Sequence, residues 1–98
     1  MSRDIVIVFD CGATNVRAIA INSRGEILAS ESCTNNPQPD PFYPAYRIWD
    51  IREIWDKMCL ASRKTISKIK PEQIVGVTIT TFGVDGTLFD KDGKMLYP

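Results

Sequence analysis

The apolar run at residues 5–9, which ends abruptly on the carboxylate of Asp10, constrains the fold more than any other feature of the chain. A short apolar run bounded by turn residues is typical of a buried strand. Asp10 is therefore expected at the rim of a sheet, where the core meets solvent. The β-branched run at residues 16–21 is too short for a typical helix of roughly 11 residues. It predicts a second strand that returns antiparallel to the first.

The turn between these two predicted strands carries residues suited to phosphate and magnesium. Asp10 can bind the water shell of Mg²⁺, which proteins usually hold through one or two carboxylates plus substrate phosphates. Gly12 permits a positive φ and the close approach of an anion. Thr14 and Asn15 add a hydroxyl, an amide and backbone N–H groups that can converge on phosphate oxygens, and Arg17 adds positive charge. The alternative is an ordinary β-hairpin in which Asp and Gly serve only the turn.

Two better-known phosphate loops are excluded at this position. A Walker A loop needs Gly-Lys-Ser/Thr at the start of a helix, and a dinucleotide-binding loop needs three spaced glycines followed by a helix. Residues 8–17 contain one glycine and no lysine. We therefore expect phosphate to lie against a hairpin turn, with no helix N-terminus beneath it.

Composition narrows the chemistry further. The 98 residues suit one small domain or part of a larger one, and they include no histidine, the commonest general base and zinc ligand. The 12 basic and 12 acidic residues cancel, which gives no sign of a nucleic-acid or membrane partner. The three cysteines lack the spacing of a zinc site or redox pair, and residues 5–9 are too short for a secretory signal. A cytoplasmic location is expected.

The middle of the chain predicts a third strand at residues 26–32, a long proline-rich loop and one helix. The loop is either a binding loop or a solvated connector. Asp50 followed by Glu53 resembles a capping box, and apolar residues then recur at helical spacing until Pro71. This register places Trp55 in the core.

Residues 74–82 form a nearly continuous β-prone run, which predicts a central strand buried on both faces. Because it follows a helix, it is expected to run parallel to the first strand through a right-handed crossover. Its end then lies beside Asp10, at the sheet edge where α/β proteins favour ligands. Asp85, in the Gly83-Val84-Asp85-Gly86 segment that follows, either accepts from ligand hydroxyls or serves a turn before a short hairpin.

Three motifs together resemble the N-terminal region of the FGGY carbohydrate kinases: Asp10-Cys11-Gly12-Ala13-Thr14-Asn15-Val16-Arg17, Trp49-Asp50, and Thr80-Thr81-Phe82-Gly83-Val84-Asp85-Gly86 with Leu96-Tyr97-Pro98. The resemblance covers essentially the whole chain. It implies an α/β fold of the ribonuclease-H-like (actin/hexokinase) type, with a three-strand antiparallel meander, a crossover helix, a parallel fourth strand and a short hairpin. It also implies that residues 1–98 are the N-terminal portion of the first kinase domain, incomplete and without the second domain.

The same resemblance implies ATP and Mg²⁺ as cofactors and a small sugar as substrate. Asp10 would help to position the metal. The terminal phosphates of ATP would be surrounded by Asp10, Gly12, Ala13, Thr14, Asn15 and Arg17, and the sugar would be contacted by Gly83, Val84 and Asp85. The implied reaction is in-line transfer of the γ-phosphoryl group to a ketose hydroxyl. L-fuculose, giving L-fuculose 1-phosphate, is expected ahead of L-rhamnulose or another ketose.

The resemblance also limits what these 98 residues can do. The family keeps its catalytic aspartate in a later region, so no catalytic residue is assigned here and the base is expected downstream. The chain alone is expected to bind ATP weakly, if at all, and to transfer no phosphate. Exposed sheet edges are expected to pair with other copies. The alternative function is a non-catalytic, kinase-like module that senses a sugar.

Overall fold

The structure, a computed structural model, describes residues 3–83 and 85–97. The elements in chain order are β1 (Ile5–Cys11), β2 (Asn15–Ile21), β3 (Ile27–Thr34), β4 (Gln38–Pro39), β5 (Arg47–Ile48), α1 (Ile51–Ile66), a 3₁₀ turn (Pro71–Gln73) and β6 (Ile74–Thr80). The main sheet has four strands in the order β3-β2-β1-β6. The predicted α/β architecture is confirmed.

The first three strands form the predicted antiparallel meander. Strand β1 pairs with β2 so that Asp10 lies opposite Arg17, and β2 pairs with β3. Gly25 takes the left-handed conformation, at a φ of 77°, in the turn that leads to β3. This turn needs glycine because side chains with a Cβ rarely adopt that backbone conformation.

Strand β6 lies on the other side of β1 and runs parallel to it, as the crossover rule predicts. Asp10 pairs in register with Thr80, the last residue of β6. The segment that leaves β6 therefore starts next to the turn that leaves β1. This juxtaposition brings the two predicted ligand-binding segments to one edge of the sheet.

Helix α1 is the crossover, and Asp50 caps it. The Asp50 carboxylate accepts hydrogen bonds from the backbone N–H groups of Arg52 and Glu53, at 3.0 and 3.3 Å. Glu53 does not complete a capping box, since its carboxylate binds Lys57 one turn later, at 2.7 Å. The helix ends at Ile66, earlier than the pattern before Pro71 indicates, because 3₁₀-type bonds close its last turn.

The core lies between α1 and one face of the sheet. One cluster joins Ile5, Ile7, Ala20 and Ala29, and a second joins Cys11, Val16 and Ile54 beneath the turn that leaves β1. Thr65, fully buried on α1, donates from its hydroxyl to the carbonyl oxygen of Ala18 at 3.2 Å. The helix is thereby tied to the middle of the meander. None of the described helices is long and apolar enough to cross a membrane.

Two expectations about burial need correction. Strand β6 is an edge strand among the described residues, with Val77 66% exposed, because α1 lies over β2 and β3 and leaves the β6 end of the sheet uncovered. Trp55 is 62% exposed, because the cluster beneath α1 is filled by Ile54 and partly buried Met58. The predicted short hairpin after Asp85 is present, with an antiparallel bridge between Phe89 and Met95 and a hydrogen bond from the Leu96 N–H to the Leu88 carbonyl oxygen at 2.9 Å.

Candidate functional site

The β1–β2 turn, defined here as residues 12–14, is closed by a hydrogen bond from the Gly12 N–H to the Asn15 carbonyl oxygen at 2.9 Å. The predicted positive φ at Gly12 is wrong, since Gly25 and Gly93 are the glycines of the described chain that have one. A Cβ at position 12 would lie 3.4 Å from the Asn15 carbonyl oxygen, at the limit of ordinary van der Waals contact.

The tip of the β1–β2 turn presents unused hydrogen-bond donors. Ala13 and Thr14 are exposed, and within residues 3–83 and 85–97 their backbone N–H groups have no acceptor. Neighbouring N–H groups without a partner form a concavity suited to an anion. The arrangement fits the phosphate role predicted for these two residues.

Asn35, which follows β3, supports this turn from below and was not predicted from the sequence. Its side-chain amide donates to the Gly12 carbonyl oxygen at 3.0 Å, and its backbone N–H donates to the Thr14 carbonyl oxygen at 2.8 Å. Asn35 is 3% exposed. The signal in the sequence is weak, because asparagines after a strand also occur in ordinary turns.

Asp10 and Arg17 lie beside the turn and bind each other. An Arg17 guanidinium nitrogen lies 3.1 Å from an Asp10 carboxylate oxygen, and the two side chains are 48% and 40% exposed. An ion pair this open is worth at most about 1 kcal/mol. At little cost in free energy, a phosphate can therefore replace Asp10 as the partner of Arg17, and a cation can replace Arg17 as the partner of Asp10.

The carboxylate of Asp10 is a suitable ligand for a hydrated magnesium ion. The carboxylate is accessible at the end of β1, and Mg²⁺ is usually held by one or two carboxylates plus substrate phosphates. In the part of the chain that the structure describes, no group of three or more His, Cys, Asp or Glu side chains forms a metal cage. The site therefore fits a metal that shares its ligands with a bound phosphate.

A cavity of about 480 Å³ opens at the same edge of the sheet, within the size range of small-molecule sites. Its walls come from the ends of β1 and β6, the start of α1 and the segment after β6. The lining residues are Cys11, Arg47, Ile48, Trp49, Ile51, Ile54, Thr81, Phe82, Asp85, Gly86, Thr87, Phe89 and Met95.

The cavity combines an aromatic wall with two charged groups. Trp49 and Phe82 stack with their ring centroids 4.8 Å apart. Asp85 supplies a carboxylate, and Arg47 supplies a guanidinium that has no ion-pair partner among the described residues. Apolar walls with a few polar groups are typical of sites that bind small polar molecules. Arg47 was not predicted, since nothing in its sequence surroundings marks it.

Cys11 joins the turn to the cavity. Burial is the main reason that the pKa of its thiol is raised, the negative charge of Asp10 adds to the effect, and a hydrogen bond with Thr81 opposes it. The thiol therefore stays protonated near neutral pH and is a poor nucleophile. Its role is to pack the ends of β1 and β6 together.

The proline-rich loop is anchored beside the cavity. The buried Asp40 carboxylate accepts from the backbone N–H groups of Phe42 and Tyr43, at 2.8 and 3.2 Å, and from the Tyr97 hydroxyl. The bond with Tyr97 is the main cause of a lowered pKa at Asp40, and it raises the pKa of Tyr97 to about 12. The short pairing of β4 with β5 closes the loop on itself, and the bond between Asp40 and Tyr97 ties it to the C-terminal segment.

The structure thus places the predicted site residues in two neighbouring groups. Asp10, Arg17 and the β1–β2 turn form one group, and Asp85 lies in the cavity wall. Gly83 follows the lining residue Phe82 but does not line the cavity itself. Val84, also predicted to contact the sugar, lies outside the described residues.

The chain resembles known proteins over nearly its whole length. Residues 5–98 match the family described as "FGGY family of carbohydrate kinases, N-terminal domain". The chain is 46% identical, over 96% of its length, to the L-fuculokinase of Haemophilus influenzae, and 39% identical, over 99% of its length, to a glycerol kinase of Saccharolobus islandicus. It spans only 21% and 19% of those two relatives.

A solved structure shares the fold. The xylulose kinase of Rhodospirillum rubrum superimposes with a TM-score of 0.75 at 20% sequence identity, over 96% of this chain and 19% of that one. The likeness confirms the ribonuclease-H-like fold expected from the sequence.

Proposed function

Since the chain belongs to the FGGY family of carbohydrate kinases, through their N-terminal domain, we propose that it is the N-terminal part of an ATP-dependent ketose kinase. The substrate proposed is L-fuculose and the product L-fuculose 1-phosphate. The identity of 46% to an L-fuculokinase supports that choice over glycerol, whose kinase is 39% identical. Because the chain spans about a fifth of these relatives, the activity is proposed for the whole protein and not for these 98 residues alone.

One observation carries the proposal: a turn with unused N–H donors lies next to a cavity with polar and aromatic walls. The free N–H groups of Ala13 and Thr14, with Thr14 and Asn15 side chains beside them, supply donors for the terminal phosphates of ATP. Arg17 adds positive charge once its ion pair with Asp10 opens. Phosphoryl transfer depends mainly on such positioning and charge neutralisation.

Asp10 is the residue proposed to hold Mg²⁺, through its accessible carboxylate. When bound, the ion neutralises charge on the phosphates during transfer. Breaking the Asp10–Arg17 ion pair then has two consequences, because it frees the carboxylate for the metal and the guanidinium for a phosphate oxygen.

The sugar is proposed to occupy the cavity. Asp85 accepts from sugar hydroxyls, and the stacked Trp49 and Phe82 rings cover the apolar face of the sugar. Contact of the sugar with Gly83 and Val84 stays a prediction from the sequence. No base is assigned within residues 1–98. The isolated chain is therefore expected to transfer no phosphate, and the base is expected downstream.

The proposal is tested on the longest reading frame that contains these 98 residues. ADP release is measured with L-fuculose, L-rhamnulose, D-xylulose and glycerol, for the wild type and for Asp10→Ala. We expect L-fuculose to react fastest and Asp10→Ala to lose about a hundredfold in rate, the magnitude seen when one charge-stabilising group is removed. Asp92→Ala, an exposed carboxylate in the turn after Phe89, is the matched control and should keep full activity.

The outcomes separate the alternatives. No reaction with any sugar, together with retained sugar binding, would favour the sugar-sensing module. Preference for glycerol would overturn the choice of substrate but keep the kinase. Full activity in Asp10→Ala would remove the metal role from Asp10.

A further inference from the structure

We propose that Asn35 is the positioning residue of the β1–β2 turn and sets the direction in which the turn presents its N–H donors. The inference rests on the proposed function, because those donors matter only if the turn binds phosphate. Asn35 belongs to neither of the two predicted site groups and follows β3, at the far side of the meander from β6.

The contacts of Asn35 bracket the tip of the turn. Its side-chain amide donates to the carbonyl oxygen of Gly12 at 3.0 Å, and its backbone N–H donates to that of Thr14 at 2.8 Å. The peptide planes before Ala13 and after Thr14 are therefore both held. The β-ladder does not extend to residues 12–14, so these bonds replace it.

The bond to Gly12 determines where the next N–H group points. In a trans peptide the C=O of one residue and the N–H of the next point in opposite directions. Because the Gly12 carbonyl points at Asn35, the Ala13 N–H points away from Asn35 and has no acceptor among the described residues. Asn35 thus turns a backbone donor outward before any ligand arrives, which lowers the ordering cost of binding.

The other side-chain atom of Asn35 indicates that stability alone does not explain the residue. Its Oδ1 is buried and has no donor in the described part of the chain. An unpaired buried acceptor costs free energy, and an apolar side chain of the same shape avoids that cost. The asparagine is useful for its donating nitrogen, and that nitrogen binds the turn.

Asn35→Leu is the informative substitution, because leucine has a similar branched shape, carries no charge and neither donates nor accepts. Asn36→Leu is the matched control, since the neighbouring Asn36 is exposed and bonds Gln38 through its backbone carbonyl oxygen. In the longest reading frame that contains the chain, we expect KM for ATP to rise about fivefold in Asn35→Leu, the value of one lost hydrogen bond. KM for the sugar should stay at its wild-type value, whereas the melting temperature should fall slightly because the Gly12 carbonyl oxygen loses its partner.

A second measurement needs no ligand. Hydrogen exchange of the Gly12 amide, which closes the turn, should become about fivefold faster in Asn35→Leu, as expected when one supporting bond is lost. Exchange of the Ile7 amide in the middle of β1 should not change. Asn35→Ala, smaller and also uncharged, is expected to behave in the same way and serves if the leucine variant does not fold.

Unchanged exchange at Gly12, or equal increases in KM for ATP and for the sugar, would overturn the positioning role. Loss of the fold in both variants would do the same, because Asn35 would then be a structural residue. A wild-type protein that neither binds ATP nor phosphorylates a sugar would refute the proposed function instead. The exchange measurement would still decide whether Asn35 orders the turn.

Discussion

Replacing Ile54 by alanine tests whether α1 supports the β1–β2 turn. Ile54 is 4% exposed and packs against Cys11 and Val16, which flank that turn in β1 and β2. The substitution removes three carbons, worth about 2.4 kcal/mol at roughly 0.8 kcal/mol for each buried methylene. The cavity left behind raises the expected loss of unfolding free energy to about 3 kcal/mol. That is a large part of the roughly 5–15 kcal/mol that holds a domain folded.

Urea unfolding followed by tryptophan fluorescence measures this loss. Trp49 packs against the same cluster and stacks on Phe82, so its emission reports on the region that Ile54 supports. With a slope of about 1.5 kcal/mol per molar urea, the midpoint should fall by about 2 M. Ile54→Val, which removes one carbon, should cost about 1 kcal/mol.

Ile51→Ala is the matched control, since Ile51 begins the same helix and is 56% exposed. Its loss should stay within about 0.5 kcal/mol, as is usual for surface positions. Equal midpoints for Ile54→Ala and Ile51→Ala would refute the view that the helix supports the turn through this cluster.

Three further predictions concern the helix cap, the loop anchor and the sheet edge. Asp50→Ala should cost about 1 kcal/mol in urea unfolding through the lost cap, whereas Asp56→Ala, on the exposed helix surface, should cost little. The Asp40–Tyr97 bond should stabilise the fold between about pH 4 and pH 10. Its contribution is lost as pH falls below the usual Asp value of 3.8, because the folded pKa of Asp40 is lowered, and as pH rises from 10 towards about 12, because that of Tyr97 is raised. The melting temperatures of wild type and Tyr97→Phe should therefore differ at pH 7 and converge as pH falls below 3.8, and a constant difference would contradict the assignment. Val77→Lys should reduce self-association in size-exclusion chromatography, because a charge on an exposed edge strand opposes pairing between copies, and a strictly monomeric wild type would argue against this.

Local patterns predicted the order of elements well. The meander, the crossover helix with its Asp50 cap and the parallel pairing of β6 with β1 follow from alternation, helical spacing and the handedness of crossovers. The prediction that β6 is buried on both faces was wrong. A continuous apolar run indicates that a strand is suited to burial, but it does not show which element covers the strand. The prediction that Trp55 lies in the core was wrong for a similar reason. The apolar pattern of the helix did not show which of the adjacent Ile54 and Trp55 side chains packs against the sheet.

Some features of the candidate site could likewise be predicted from the sequence, and others could not. Asp10, Thr14, Asn15 and Arg17 could be named from the sequence, because a carboxylate, a hydroxyl and N–H groups at the end of a strand have a recognisable chemistry. The Asp10–Arg17 ion pair follows only from the antiparallel register that places the two residues opposite each other. Whether the turn binds phosphate stays a prediction.

The sequence by itself determined the family, the fold class and the chemical character of the turn after β1, since these depend on residue types close together in the chain. Tertiary structure alone decided that Asn35 lies beneath that turn and that Arg47 lines the cavity with Asp85. Asn35 is 23 residues from Gly12, and strand pairing across the meander brings them together. Contacts of this kind depend on how sheets and helices pack, and short-range sequence patterns carry little information about them.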